Sequence, residues 1–240
     1  MCAFFHSREQ EYEAFLPFIR RGLERGEKAI QIVDPRLQED HLRRLAESGI
    51  NVPEAQERKQ LQVLNWNDAY LRGGRFDHRD MQTLMRELLT GAEKKKFPLT
   101  QLVAHMEWAK EDRPGVEDLI EYESKLNYFA PKYPDVLLCV YDVTRFDAET
   151  IIDVLRTHPM VMIGGLIHEN AFFVPPDEFV KEHRAFTQGE KVRKQLETTQ
   201  RQLADNAAEL KKFMDVVVGR EMKMAALERE IERLRKLLDE

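Results

Sequence analysis

His105 and Glu107 sit two residues apart in an apolar run that reads as a strand, the spacing with which zinc deaminases hold and activate water. The Pro-Cys-x-x-Cys partner of that signature does not occur, so the pair by itself implies no metal. Asp142 closes another apolar run, where an acid could hold magnesium beside a bound phosphate. That role needs a phosphate loop, and neither Gly26-Glu27-Lys28 nor Gly189-Glu190-Lys191 continues as Gly-Lys-Ser/Thr. Phe5-His6-Ser7-Arg8-Glu9, where such a loop would lie, has no glycine to let backbone close around a triphosphate. Gly-x-Ser-x-Gly and Gly-x-Gly-x-x-Gly are absent too. Cys2 and Cys139 lie in apolar surroundings without metal-ligand spacing and read as buried thiols of a reducing cytosol. The expectation is a non-enzymatic binding protein without metal or cofactor.

The elements that must position these groups alternate. Short apolar runs at 2–5, 29–33, 61–64, 102–108 and 136–143, with a pair at 160–167 and 172–174, are separated by amphipathic stretches. Tyr12, Phe15, Leu16, Ile19 and Leu23 form one stripe of a helix over 9–25, stopped by Gly26. Further helices are expected over 38–48, 77–89, 116–129 and 148–155. Strands that are apolar throughout are covered on both faces, so the fold class is α/β, a doubly wound, mostly parallel sheet over residues 1–175. Tyr122 should pack inward, with Glu121 and Glu123 solvated, and Gly164-Gly165 should make a tight turn.

A doubly wound sheet binds ligands at the carboxyl ends of its strands. His6, Trp66, Glu107, Trp108, Tyr141 and Asp142 fall there, and His158 precedes the next apolar segment. Together they would line one crevice, with Trp66, Trp108 and Tyr141 as walls and His6, Glu107 and Asp142 as polar anchors. His6 also has a plainer reading, as the neighbour of Ser7, whose hydroxyl can cap the first helix.

Residues 176–240 read as a long helix opened by Pro175-Pro176-Asp177-Glu178, with helix signals broken only at Gly189 and Gly219. Leu196, Leu203, Leu210, Val217, Met224, Ile231 and Leu238 recur every seven residues, and Phe213, Leu227 and Leu234 fill later d positions. The firm part, 213–238, predicts a parallel homodimeric coiled coil in which Lys223 meets Glu228 and Glu230 meets Arg235. Asn206 and Arg220 at d positions either fix the register or mark a weak seam; the alternative for the whole segment is a helix folded back on the α/β domain. Acidic residues number 43 against 37 basic ones, a net charge of −6 that argues against an extended nucleic-acid footprint. No run is apolar for the 18 or more residues of a membrane span, and the N-terminus lacks a signal-peptide pattern, so a cytoplasmic chain is expected.

Phe4-Phe5-His6, Leu16-Pro17-Phe18-Ile19, Gly22-Leu23-Glu24-Arg25-Gly26-Glu27-Lys28-Ala29 and Val33-Asp34-Pro35 form a recognisable series. Tyr70-Leu71, Gly74-Arg75-Phe76-Asp77, Tyr122-Glu123, Cys139-Val140-Tyr141 and Thr157-His158-Pro159 continue it. Over residues 1–183 the chain resembles the MEDS family, the methanogen/methylotroph DcmR sensory domain. The resemblance implies a RecA/KaiC-like fold without a working phosphate loop that senses small molecules, hydrocarbon derivatives among them, for a histidine kinase or transcriptional regulator. It favours His6, Glu107, Trp108, Tyr141 and His158 as pocket residues. Val218-Gly219-Arg220-Glu221-Met222-Lys223-Met224 is similar to linker helices that precede kinase modules. A degenerate nucleotide-binding protein and a protein-binding scaffold are the rival readings.

Overall fold

The computed structural model describes residues 1–90 and 96–238, excepting the side chains of 210–211, 213–222, 225–226 and 228–238. The elements in chain order are β1 (Cys2–Phe5), α1 (Arg8–Glu24), β2 (Lys28–Val33), α2 (Gln38–Glu47), α3 (Val52–Glu57), β3 (Leu61–Asn65) and α4 (His78–Thr90). They continue with β4 (Thr100–His105), α5 (Leu119–Leu126), β5 (Val136–Asp142), α6 (Ala148–Thr157), β6 (Met160–Ile163), β7 (Leu166–Glu169) and α7 (Pro176–Leu238). The strands form one sheet in the order β3-β2-β4-β5-β1-β6-β7, parallel except for β7, which runs antiparallel to β6.

That order puts helices on both faces. The steps from β1 to β2 and from β2 to β3 run towards one edge and carry α1, α2 and α3 on one face. The next three steps run back and carry α4, α5 and α6 on the other. The core divides accordingly. Phe15 and Ile19 of α1, Leu45 of α2 and Ala55 of α3 close over Ala3, Phe5, Val103 and Val140. Met81 and Met85 of α4, Leu126 of α5 and Val154 of α6 close over Cys2, Ile30, Ile32, Leu102 and Cys139. Each fully buried Leu, Ile, Phe or Met contributes roughly 1.5–3 kcal/mol of transfer free energy, which is why residues 30 and 32 of β2 cannot exchange faces with 29 and 31. Adjacent strands whose connections leave to opposite faces, β2 beside β4 and β1 beside β5, open the sheet at their carboxyl ends.

Several boundaries differ from the sequence expectation. The run 102–108 ends as a strand at His105; Glu107–Lys110 is a 3-10 turn, so His105 and Glu107 do not alternate along one strand. The run 160–167 is two strands, because Gly164 and Gly165 take φ of 58° and 78°, the left-handed pair of a two-residue hairpin turn. Residues 172–174 form no strand. A short α3 appears where none was expected, started by Pro53 and by the Asn51 side chain accepting from the Glu54 amide. The 116–129 helix is shortened to Leu119–Leu126. Ser7 caps α1, its hydroxyl accepting from the Gln10 amide at 3.2 Å.

Contacts divide the chain into two units, Met1–Lys181 and Glu182–Glu240. The root of α7 belongs to the first: Phe179 is fully buried and the Arg156 guanidinium lies 5.2 Å from its ring. In the second unit α7 runs through Gly189 and Gly219 without a break and exposes Leu196, Leu203, Met224 and Leu227. The side chains of Leu210, Phe213, Val217, Ile231, Leu234 and Leu238, and the pairs Lys223 with Glu228 and Glu230 with Arg235, lie outside the described residues. Among the described residues no helix is long and apolar enough to cross a membrane.

Candidate functional site

The carboxyl end of β4 delivers His105 onto the α1/α2 face, where a group of polar side chains is closed off from water. Glu11 and Tyr12 come from α1 and His41 from α2, and all four are buried. His105 Nε2 lies 3.3 Å from Glu11 Oε1, Tyr12 Oη shares a 2.8 Å hydrogen bond with His41 Nδ1, and the two imidazoles meet edge to face with centroids 5.9 Å apart. His41 Nε2 has no hydrogen-bond partner. Gln31, opposite Val103 on β2 and so diagonal to His105 on the same face, has none at either amide atom.

Burial rather than ion pairing sets the charge here. It pushes the Glu11 carboxyl up to about 7, with Asp142 adding to the rise and Arg8 and Arg44 opposing it. It pulls His41 down to about 3, helped by His105 and Arg8 and opposed by Asp40, and holds His105 below the ordinary histidine value against the pull of Glu107. Below pH 7 the group is thus a set of largely uncharged donors and acceptors. A recess of ≈ 390 Å³ opens beside it, lined by Glu9, Tyr12, Glu13, Leu16, Pro17 and Arg44, with the Arg44 guanidinium 4.6 Å from the Tyr12 ring centre.

A second polar group lies on the opposite face. Glu123 of α5 accepts from the Tyr141 hydroxyl at 3.0 Å and its other oxygen lies 3.0 Å from His158 Nε2. His158 Nδ1 donates to the Val154 carbonyl at 2.9 Å. The 157–158 turn is strapped by Asn127 Nδ2 donating to the Thr157 carbonyl at 2.6 Å and Asn170 Nδ2 to the His158 carbonyl at 2.7 Å. Burial alone would lower His158, but Cys2, Cys139 and Glu123 outweigh it and hold the imidazole well above its usual value. Burial and Glu123 push the Cys139 thiol up to about 11. Among the described residues Glu123, Cys139 and His158 are the set of ligand-type side chains close enough to share a metal ion.

The residues expected to line one crevice are therefore distributed. Tyr141 and His158 meet through Glu123. Trp108 is fully buried on the same face in an aromatic stack, 4.6 Å from Tyr70 and 4.5 Å from Phe76, with its indole N–H unpartnered. Glu107 is buried and Asp142 half-buried; they act through charge on His105 and Glu11, and Asp142 also accepts from the Thr144 amide and hydroxyl. Trp66 lies under the Arg36 guanidinium at 5.5 Å, and His6 points outward, its amide donating to Gln10. Glu123 is buried, not solvated, while Tyr122 packs inward as expected.

Sequence reasoning passed over Glu11, Tyr12 as a polar group, His41, Glu123 and the proximity of Cys2 to Cys139. A signal existed. Glu11 lies on the Phe15–Ile19 stripe, His41 is one turn from Leu45, and Glu123 sits between Leu119 and Leu126, each a polar residue on an apolar helix face.

The chain is a mostly parallel α/β domain with buried polar groups near the carboxyl ends of its strands. The chain belongs to the MEDS family, "MEthanogen/methylotroph, DcmR Sensory domain", which it matches over residues 1–159, and that is a family of sensory domains. No curated protein matches the chain.

Proposed function

We propose that this chain is the non-catalytic input half of a cytoplasmic sensor: a small uncharged molecule, of hydrocarbon-derivative type, docks among Gln31, His41 and His105, and α7 relays its presence. The relay runs through a homodimeric coiled coil to a histidine kinase or transcriptional regulator. The observation that carries this reading is that the buried amide of Gln31 and the buried Nε2 of His41, both on the face of His105, have no hydrogen-bond partner. Each buried polar group without a partner costs about 1–3 kcal/mol, and a ligand that completes their hydrogen bonds recovers it. Family membership supports the sensory role, and the exposed Leu196, Leu203, Met224 and Leu227 support the coil.

The test is thermal unfolding of the full chain against a panel of one- to four-carbon alcohols, amines, aldehydes and halides, with ATP as a further arm. A binder at a hundred times its Kd stabilises by about 2.7 kcal/mol, a shift of several degrees. We expect one class of the panel to give that shift and Gln31→Leu to abolish it. No shift with any compound, or the same shift in Gln31→Leu, overturns the reading, and stabilisation by ATP alone replaces it with a degenerate nucleotide-binding one.

A further inference from the structure

Cys2 and Cys139 are 137 positions apart in the sequence, yet β1 inserts beside β5 with these two residues directly in register. Side chains in register on adjacent strands point to the same face, and here that face is the one carrying Glu123 and His158. The Cys2 thiol, 4.0 Å from the Met160 carbonyl, is among the groups that raise His158. The ligand atoms of Glu123, Cys139 and His158 all lie within 4.8 Å of one another, and all three side chains are buried. Metal bonds of about 2.0 Å to nitrogen or oxygen and about 2.3 Å to sulfur, at tetrahedral angles, place ligand atoms roughly 3.3–3.7 Å apart, so a shift of about 1 Å closes the set.

We propose that Glu123, Cys139 and His158, with Cys2 in the fourth position, form a binding site for a single borderline-soft divalent cation, zinc being the chemical type. The surroundings are those such a site requires. The Val154 carbonyl can only accept, so His158 Nδ1 carries a proton and, in the neutral ring, Nε2 turns its lone pair to the ion. The Tyr141 hydroxyl holds the far oxygen of Glu123 and leaves the near one for the metal. Sulfur and imidazole ligands select zinc over calcium or magnesium, which prefer all-oxygen cages. Two thiolates and one carboxylate against a divalent ion leave one net negative charge on the loaded site. On loading, Cys2, Cys139 and His158 each give up a proton to solvent, so binding tightens as pH rises. The ion would tie α5, β5 and the turn before β6 together next to the α7 root, where the Val174 amide bonds the Arg156 carbonyl at 2.9 Å.

Because the side chains are closed off, the full chain is stripped with chelator in denaturant and refolded with cobalt(II). We expect one equivalent per chain, with an intense visible spectrum and a near-ultraviolet thiolate charge-transfer band, both lost when zinc is added. His158→Gln and Cys139→Ser should retain less than a tenth of the metal with unchanged far-ultraviolet circular dichroism. Should either fail to fold, Tyr141→Phe, which keeps every ligand and removes a support, should bind roughly 10- to 100-fold more weakly. Wild-type chain that keeps no cobalt, or cobalt bound with a weak octahedral spectrum, overturns the proposal. So does unchanged retention in His158→Gln and Cys139→Ser, or in Tyr141→Phe. Gln31→Leu should bind metal normally, so failure of the small-molecule reading leaves this one standing.

Discussion

The sheet separates two buried carboxylate–imidazole pairs, Glu11 with His105 on the α1/α2 face and Glu123 with His158 on the α5/α6 face, and they ionise in opposite senses. The first pair is 3.3 Å apart, and burial dominates: the acid rises to about 7 and the imidazole falls. The second is 3.0 Å apart with a Tyr141 hydroxyl on the acid, and its partners dominate: the imidazole stands well above its usual value. Burial depth is similar in both, so what differs is the neighbours of the imidazole: Cys2, Cys139 and Glu123 favour the charged form of His158, whereas Glu107 does not offset burial at His105.

The sharpest way to break the contrast is to make one substitution on both sides. Glu123→Gln leaves the imidazolium of His158 without its counter-charge in the core, and loss of one member of a buried ion pair costs about 3–5 kcal/mol. Glu11→Gln replaces a carboxyl that is largely protonated below pH 7 by a neutral amide, and should cost about 1 kcal/mol or less at pH 6. Urea denaturation at pH 6 measures both. Equal losses would mean that the two pairs are electrostatically alike.

The next effect lies in pH. A carboxyl whose folded value is raised from 4.5 to about 7 keeps its proton in the fold while the unfolded chain has lost it. Its contribution is fully present below pH 4.5 and is lost as pH rises towards 7, by roughly 3 kcal/mol at 1.36 kcal/mol per unit. His41, lowered from 6.5 to about 3, works the other way: its contribution is present above 6.5 and lost as pH falls towards 3. The two slopes oppose each other between 4.5 and 6.5. Glu11→Gln removes one of them, so the variant should gain on the wild type by roughly 3 kcal/mol between pH 4.5 and pH 8, read from urea midpoints. A difference that stays flat with pH would place Glu11 in contact with water.

The sheet was legible in the sequence because its signal is local. Four of the six residues of β2 and six of the seven of β5 are apolar, and the helix stop Gly26 precedes β2. The strand ending at His105 was drawn too long because Met106 and Trp108 are apolar for a different reason, as core residues of a turn. The polar groups were legible only in part. His105, Tyr141 and His158 stood out at strand ends, but their partners come from helices and from β1, and strand order is a long-range fact that alternation does not carry. The pairing of Cys2 with Cys139 depends wholly on β1 lying between β5 and β6.

The smallest effect sharpens the comparison at single hydroxyls. Tyr141 donates to Glu123, the counter-charge of His158, whereas Tyr12 shares its proton with a neutral ring. Hydrogen bonds to charged groups contribute about 1.5–3 kcal/mol and neutral ones about 0.5–1.5 kcal/mol, so Tyr141→Phe should destabilise more than Tyr12→Phe at pH 7. Tyr12→Phe removes a partner from a ring that stays neutral down to about pH 3, so its cost should hold steady from pH 5 to pH 8. Matched denaturation curves of the two variants decide the order. Equal costs would show that the two hydroxyls support their faces alike.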